Sequence, residues 1–131
     1  MNRIEVISIP VSDQQRSKAF YRNIGFELMV ENPMDEHNYW VQMKLPGTST
    51  TISLVQHFPF PEIAMQPGTM KGLIFKTEDI HAFVKTLREH NISYGNLTDS
   101  GFAEGEISQT PWGQFTHFFD PDGNGLSVHQ E

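Results

Sequence analysis

At 131 residues, with 37% hydrophobic and 11% aromatic side chains, the chain has the length of one domain and enough apolar material to build a core. Its net charge of −7, from nine Lys+Arg against sixteen Asp+Glu, excludes the basic stripe that neutralises a phosphate backbone, so no nucleic-acid partner is expected. Cysteine is absent, which removes disulfides, thiolate catalysis and Cys-based zinc sites.

Glu5 and Asp13 interrupt any apolar leader, and no run approaches the roughly 20 apolar residues of a membrane span. A cytoplasmic protein with no membrane partner is the expectation. Residues 4–11 are β-branched and apolar, a strand pattern. Ser12 and Asp13 offer a helix start, with Gln15 completing a capping box on Ser12. The helix over 14–23 is expected to bury Ala19, Phe20 and Ile24, and Gly25 stands where a left-handed C-terminal cap belongs. Residues 26–31, 39–45 and 50–57 read as strands, separated by the polar loop 32–38 and the Pro46-Gly47 turn. Residues 58–71 hold three of the eight prolines and no periodicity, which marks a linker.

A second series follows. Residues 72–76 are a strand, and Thr77, Glu78 and Asp79 place a cap and negative charge at a helix N-terminus. Ile80, Phe83, Val84 and Leu87 then form an amphipathic stripe, with Arg88 and His90 in the last turn. Strands are expected at 93–97, 104–108, 115–119 and 126–129, the last two joined by the turn 120–125. Each half therefore opens strand, helix, strands. Ile9-Pro10-Val11-Ser12-Asp13 mirrors Ile74-Phe75-Lys76-Thr77-Glu78.

Val11-Ser12-Asp13, Phe20-Tyr21 and Gly25-Phe26, with Pro111-Trp112-Gly113 and Asp120-Pro121-Asp122-Gly123-Asn124, resemble the vicinal oxygen chelate superfamily of glyoxalases, bleomycin resistance proteins and extradiol dioxygenases. The resemblance covers essentially the whole chain. It implies an α+β fold: two βαβββ repeats forming a curved mixed sheet with helices on the convex face. One domain over 1–131 would hold repeat one at about 1–57, the linker 58–71, and repeat two at 72–131. It also implies a homodimer. Family members hold a divalent metal on four strand residues, and the matching positions here are Val6, Ser53, Gly72 and Ser127. None is a normal ligand for a hard or borderline cation, and Glu5 next to Val6 faces the other side of its strand. No metal and no other cofactor is expected.

Strand parity separates an apolar face (Ile7, Ile9, Ile52, Leu54, Leu73, Phe75, Leu126, Val128) from a mixed one carrying Ser8, Ser53, Ile74, His117, Phe119, Ser127 and His129. The first suits packing against the helices. The second suits a pocket with apolar walls and a few directed polar groups. On it His117 is a candidate hydrogen-bond donor or general base, set against the plainer reading of a polar residue on a wet sheet face. His129 shares that parity, and parity permits a metal on His117 and His129 with His57 as a third ligand. Trp40 and Gln42 share one face of their strand, as stacking wall and amide handle, set against the plainer reading of Trp40 as core filler or dimer contact. Trp112, in its own loop, suits a lid, a ligand platform or an interface anchor. Asp35, Glu36 and His37 read as a solvated loop, His81 and His90 as helix surface, Asp120 and Asp122 as turn formers. Glu106 is the one acid within reach of the cavity face.

These readings lead to a metal-independent protein binding a small, partly apolar molecule between its repeats, through Trp40, Gln42, Ser53, Trp112, His117, Ser127 and His129. The competing reading is a glyoxalase-like lyase, isomerase or dioxygenase with a non-standard divalent metal site and His117 as its catalytic group. A third, a purely structural role, needs the cavity filled by side chains.

Overall fold

The apolar alternation near the N-terminus does form a strand, and its ends are set by what it pairs with. In the computed structural model, which describes residues 1–36, 38–56 and 65–131, β1 (Val6–Pro10) is followed by α1 (Gln14–Asn23), β2 (Glu27–Pro33), β3 (Tyr39–Lys44) and β4 (Thr51–Val55). Their sheet runs β1-β4-β3-β2, with β1 parallel to β4 and the other pairs antiparallel. The second series is β5 (Leu73–Lys76), α2 (Ile80–Glu89), β6 (Tyr94–Thr98), β7 (Gly101–Glu104), β8 (Ser108–Thr110), β9 (Gly113–Phe119) and β10 (Gly125–Gln130). Its order is β5-β10-β9-β6-β7, with β5 parallel to β10 and β8 added on β9.

β5, β10, β9 and β6 thus repeat β1, β4, β3 and β2 in order and direction. The fold is α+β, built from two βαβββ repeats, with β7 and β8 as additional short strands in the second. Two compact units result: Met1–Met70 with Pro121–Asn124, and Lys71–Asp120 with Gly125–Glu131.

Local chemistry recurs with the topology. Asp13 and Asp79 are the two N-caps, accepting from Gln15 N and Arg16 N, and from Ala82 N, respectively. At the first helical residue the free backbone N–H is met by a glutamine at the C-terminal end of the parallel partner strand. Gln56 Oε1 accepts from Gln14 N at 3.0 Å, and Gln130 Oε1 from Ile80 N at 2.7 Å.

Several expectations change. Ala19 is exposed, because the buried face of α1 follows the three-to-four spacing of Gln14, Ser17, Phe20, Tyr21 and Ile24, and position 19 lies opposite. Ser12 does not cap α1; its hydroxyl and backbone N–H both donate to the Asp122 carboxylate. Gln15 is no capping-box partner either, since its amide reaches Glu31 at 3.2 Å. The expected strand at 104–108 is split. Gly105 takes φ +82 and donates its N–H to Tyr94 O at 2.7 Å, which ends β7 before β8 begins. Residues 57–64, half of the proposed linker and the end of the third expected strand, lie outside the described residues, as does His37.

In the first unit Ile9, Val41, Met43, Ile52 and Leu54 are buried, with Tyr21 edge-on to Phe20 and Phe26 at 5.1 and 5.5 Å. In the second, Ile80, Val84 and Leu87 are buried along with Phe118, Leu126 and Val128. Phe83 of the predicted stripe packs its ring 5.5 Å from Phe118. Each such side chain stabilises by about 1.5–3 kcal/mol.

The turn at 120–125 does more than reverse the chain. Asp122, read from sequence as a turn former, also accepts from Arg16 Nη2 at 3.1 Å. Asn124 is fully buried; its amide donates to Pro10 O at 2.9 Å and accepts from Met70 N at 3.1 Å. These bonds draw residues 121–124 into the first unit.

Candidate functional site: a row of side chains across each sheet

Strand register places the candidate residues in matching rows. In the first unit the row is Ser8, Ser53, Gln42 and Val30 across β1, β4, β3 and β2. In the second it is Ile74, Ser127, His117 and Gly95 across β5, β10, β9 and β6. Ser53 and Ser127 are therefore equivalent positions, as are Gln42 and His117. The fourth position of the second row must be glycine, because a Cβ on Gly95 would overlap the Ala103 carbonyl oxygen.

The first row is polar and internally bonded. Ser8 and Ser53 share a hydroxyl–hydroxyl bond of 3.0 Å, and Ser53 is buried. Trp40 Nε1 donates to Gln42 Oε1 at 3.0 Å, and Gln42 Nε2 donates to Thr51 Oγ1 at 2.9 Å. Thr51 passes the chain on to Glu5 O at 2.8 Å. Gln42 and Thr51 border a small concavity of about 210 Å³ shared with Arg3, Glu5 and Lys44.

The second row borders an open pocket of about 550 Å³, whose walls include Ile74, Leu97, Phe119 and Gly72, with Lys71, His117 and Ser127 as polar members. Ile74 and Leu97 are each 62% exposed, far more than aliphatic side chains with a settled packing partner. Phe119 is held at the wall by Phe102, edge-on at 5.8 Å, and by Lys71 Nζ at 5.5 Å from its ring centre. His117 Nδ1 lies 2.6 Å from Ser127 Oγ.

Burial holds the His117 imidazole below its ordinary range, so at neutral pH it is uncharged. The unfolded imidazole titrates near 6.5, above the folded one, so below about pH 6.5 the unfolded chain binds more protons and stability falls. Replacing His117 by Gln should flatten that acid limb, as read from urea midpoints between pH 5 and pH 7, while leaving the values above pH 7 parallel.

The other candidates sit elsewhere. Trp112, in the β8–β9 turn, is 75% exposed. His129 is stacked on Phe115, with ring centres 4.4 Å apart, and its Nε2 donates to Trp112 O at 2.8 Å, bracing that turn. Glu106 is exposed and reaches only Asn96 Nδ2, at 3.5 Å, away from the pocket walls. His57 lies outside the described residues. A further concavity of about 520 Å³ at the end of α2 holds none of the candidates, and its Arg88 and Glu104 are bonded to Tyr94 and Ser93. Leu97 and Lys71 were missed from sequence, because nothing local reveals the register of β6 on β9 or the approach of residue 71 to Phe119.

The four positions matching the family's metal ligands do not fit a divalent cation. Val6 and Gly72 carry no donor, and the hydroxyls of Ser53 and Ser127 are engaged by Ser8 and His117. Among the described residues no three His, Asp or Glu side chains gather where they would hold a metal. No helix among them is long and apolar enough to cross a membrane.

The profile of the Glyoxalase/Bleomycin resistance protein/Dioxygenase superfamily matches residues 3–128, and the chain belongs to this family. TnmS3, described as an antibiotic binding protein from Streptomyces sp. CB03234, is 33% identical, with 99% of this chain and 96% of that one covered and a TM-score of 0.80. A glyoxalase/bleomycin resistance protein from the same strain is 32% identical, covering 98% and 100%, with a TM-score of 0.75. The uncharacterized protein YetH of Bacillus subtilis (strain 168) is 27% identical over 128 residues, covering 95% of this chain and 94% of its own.

Proposed function

We propose that this protein binds a small, largely apolar molecule without a divalent metal, sequestering it rather than transforming it. The observation that carries the reading is the pocket beside Ile74, Leu97 and Phe119, an apolar concavity with two polar groups placed together on one wall. The poor fit of Val6, Ser53, Gly72 and Ser127 to a metal supports the metal-independent part. The likeness to an antibiotic binding protein at 33% identity supports an antibiotic-like ligand. The exposure of Ile74 and Leu97, with Trp112 on the same unit, also supports a homodimer, which sedimentation at micromolar concentration would detect.

The binding reading is tested by fluorescence titration with 8-anilinonaphthalene-1-sulfonate. Saturable binding at one site per chain is expected, unchanged after dialysis against EDTA. Ile74→Glu should abolish it without moving the urea midpoint, since Ile74 contributes mainly exposed surface. Absence of saturable binding would refute the pocket, and loss of binding on EDTA treatment would refute metal independence.

A further inference from the structure

The polar end of the pocket restricts what can occupy it. His117 and Ser127 stand side by side in register on β9 and β10, joined by the 2.6 Å contact between Nδ1 and Oγ. In the neutral pair there are two polar hydrogens, one on the imidazole and one on the hydroxyl, and the internal bond consumes one of them. If Ser127 donates to Nδ1, the remaining hydrogen is on Nε2. If Nδ1 donates to Ser127, the remaining hydrogen is on Oγ. Either way one donor is left over, and neither group has another protein partner among the described residues.

Protonating the imidazole only adds a donor. The equivalent pair in the first unit is satisfied differently: Ser53 bonds to Ser8, and Gln42 is taken by Trp40 and Thr51. Ile74 replaces Ser8 at the corresponding place in the second row, so Ser127 has no hydroxyl neighbour on β5. An apolar ligand filling this space would strand the leftover donor, which is costly in a desolvated site.

We propose that the ligand is a largely apolar molecule carrying a carbonyl-type oxygen, and that this oxygen accepts the hydrogen bond left over by the His117–Ser127 pair. This rests on the binding function proposed above. It makes the pair the group that selects a ketone over its hydrocarbon counterpart of the same shape. Transfer from water alone would favour the hydrocarbon, so the two contributions oppose each other.

The test uses 9-fluorenone and fluorene, two three-ring molecules differing chiefly in one carbonyl, as competitors of 8-anilinonaphthalene-1-sulfonate. Fluorenone is expected to displace the dye about fivefold more tightly, the equivalent of one net hydrogen bond. The double variant His117→Phe with Ser127→Ala, which keeps an aromatic volume and removes both polar hydrogens, should erase that preference while holding the fluorene affinity. Ser127→Ala should reduce it by leaving the imidazole without a fixed tautomer. Equal displacement by both compounds, displacement by neither, or a preference unchanged in both variants would overturn the inference and leave the binding function standing. Failure of the dye itself to bind would overturn both.

Discussion

Asn124→Ala is expected to lower folding stability by about 3–4 kcal/mol, measured by urea denaturation at neutral pH. The side chain is fully buried and satisfies two backbone groups far away in sequence, Pro10 O and Met70 N. Alanine leaves both without a partner in a place water does not reach, at about 1–3 kcal/mol for each stranded group. Asn124→Asp makes the sharper case. A carboxylate is nearly the same shape yet cannot donate to Pro10 O, so it should be nearly as damaging as alanine. Tolerance of aspartate within about half a kcal/mol would show that shape, and not the donated bond, is what the position supplies. The consequence reaches the pocket. The same turn joins β9 to β10 and so sets His117 opposite Ser127, and a slip of one residue would turn His117 to the helix-facing side of the sheet.

Gln14→Leu is expected to cost about 3 kcal/mol, again by urea denaturation. The Gln14 amide donates to Tyr39 O at 2.6 Å and Leu54 O at 2.7 Å, and its oxygen accepts from Tyr39 N at 3.1 Å. One buried side chain at the start of α1 therefore ties together the ends of β3 and β4. Leucine keeps the volume and loses all three bonds, and the Leu54 carbonyl is left in the core. In the second repeat the corresponding first helical residue is Ile80, fully buried and apolar. That comparison explains why the substitution looks harmless on paper: one repeat meets this position with packing, the other with hydrogen bonds to strand ends. Gln130→Ala, which removes a single bond to Ile80 N, should cost only about 1 kcal/mol. Equal losses for the two variants would contradict this account of Gln14.

Much of the fold was legible because it depends on local periodicity. The 3–4 spacing of Ile80, Phe83, Val84 and Leu87 can serve only a helix with one buried side, and the alternation in 126–129 only a two-faced strand. The parity argument also put Ser53, His117 and Ser127 on the mixed faces, and the register sets Ser53 beside Gln42 and His117 beside Ser127. Where reading failed, long-range bonds had overruled local preference. Ser12 sits where a cap is expected, yet Asp122, 110 residues away, claims it. Asp120-Pro121-Asp122-Gly123 is dense in turn formers, and nothing nearby shows that Asp122 and Asn124 act on the start of α1 and on Met70.

The opening order of strand, helix and strands in each half, and the parity of side chains along those strands, were legible in the sequence. It also showed that Val6, Ser53, Gly72 and Ser127 offer no ordinary metal ligand. That the two rows differ in character follows only from how distant strands pair. In the first, Ser8, Trp40 and Thr51 bond to Ser53 and Gln42, and in the second the His117–Ser127 pair stands beside an apolar pocket. The physical reason is register: hydrogen bonding across a sheet depends on which residue faces which, and that is set by pairing between residues up to 53 positions apart, outside the reach of any local pattern.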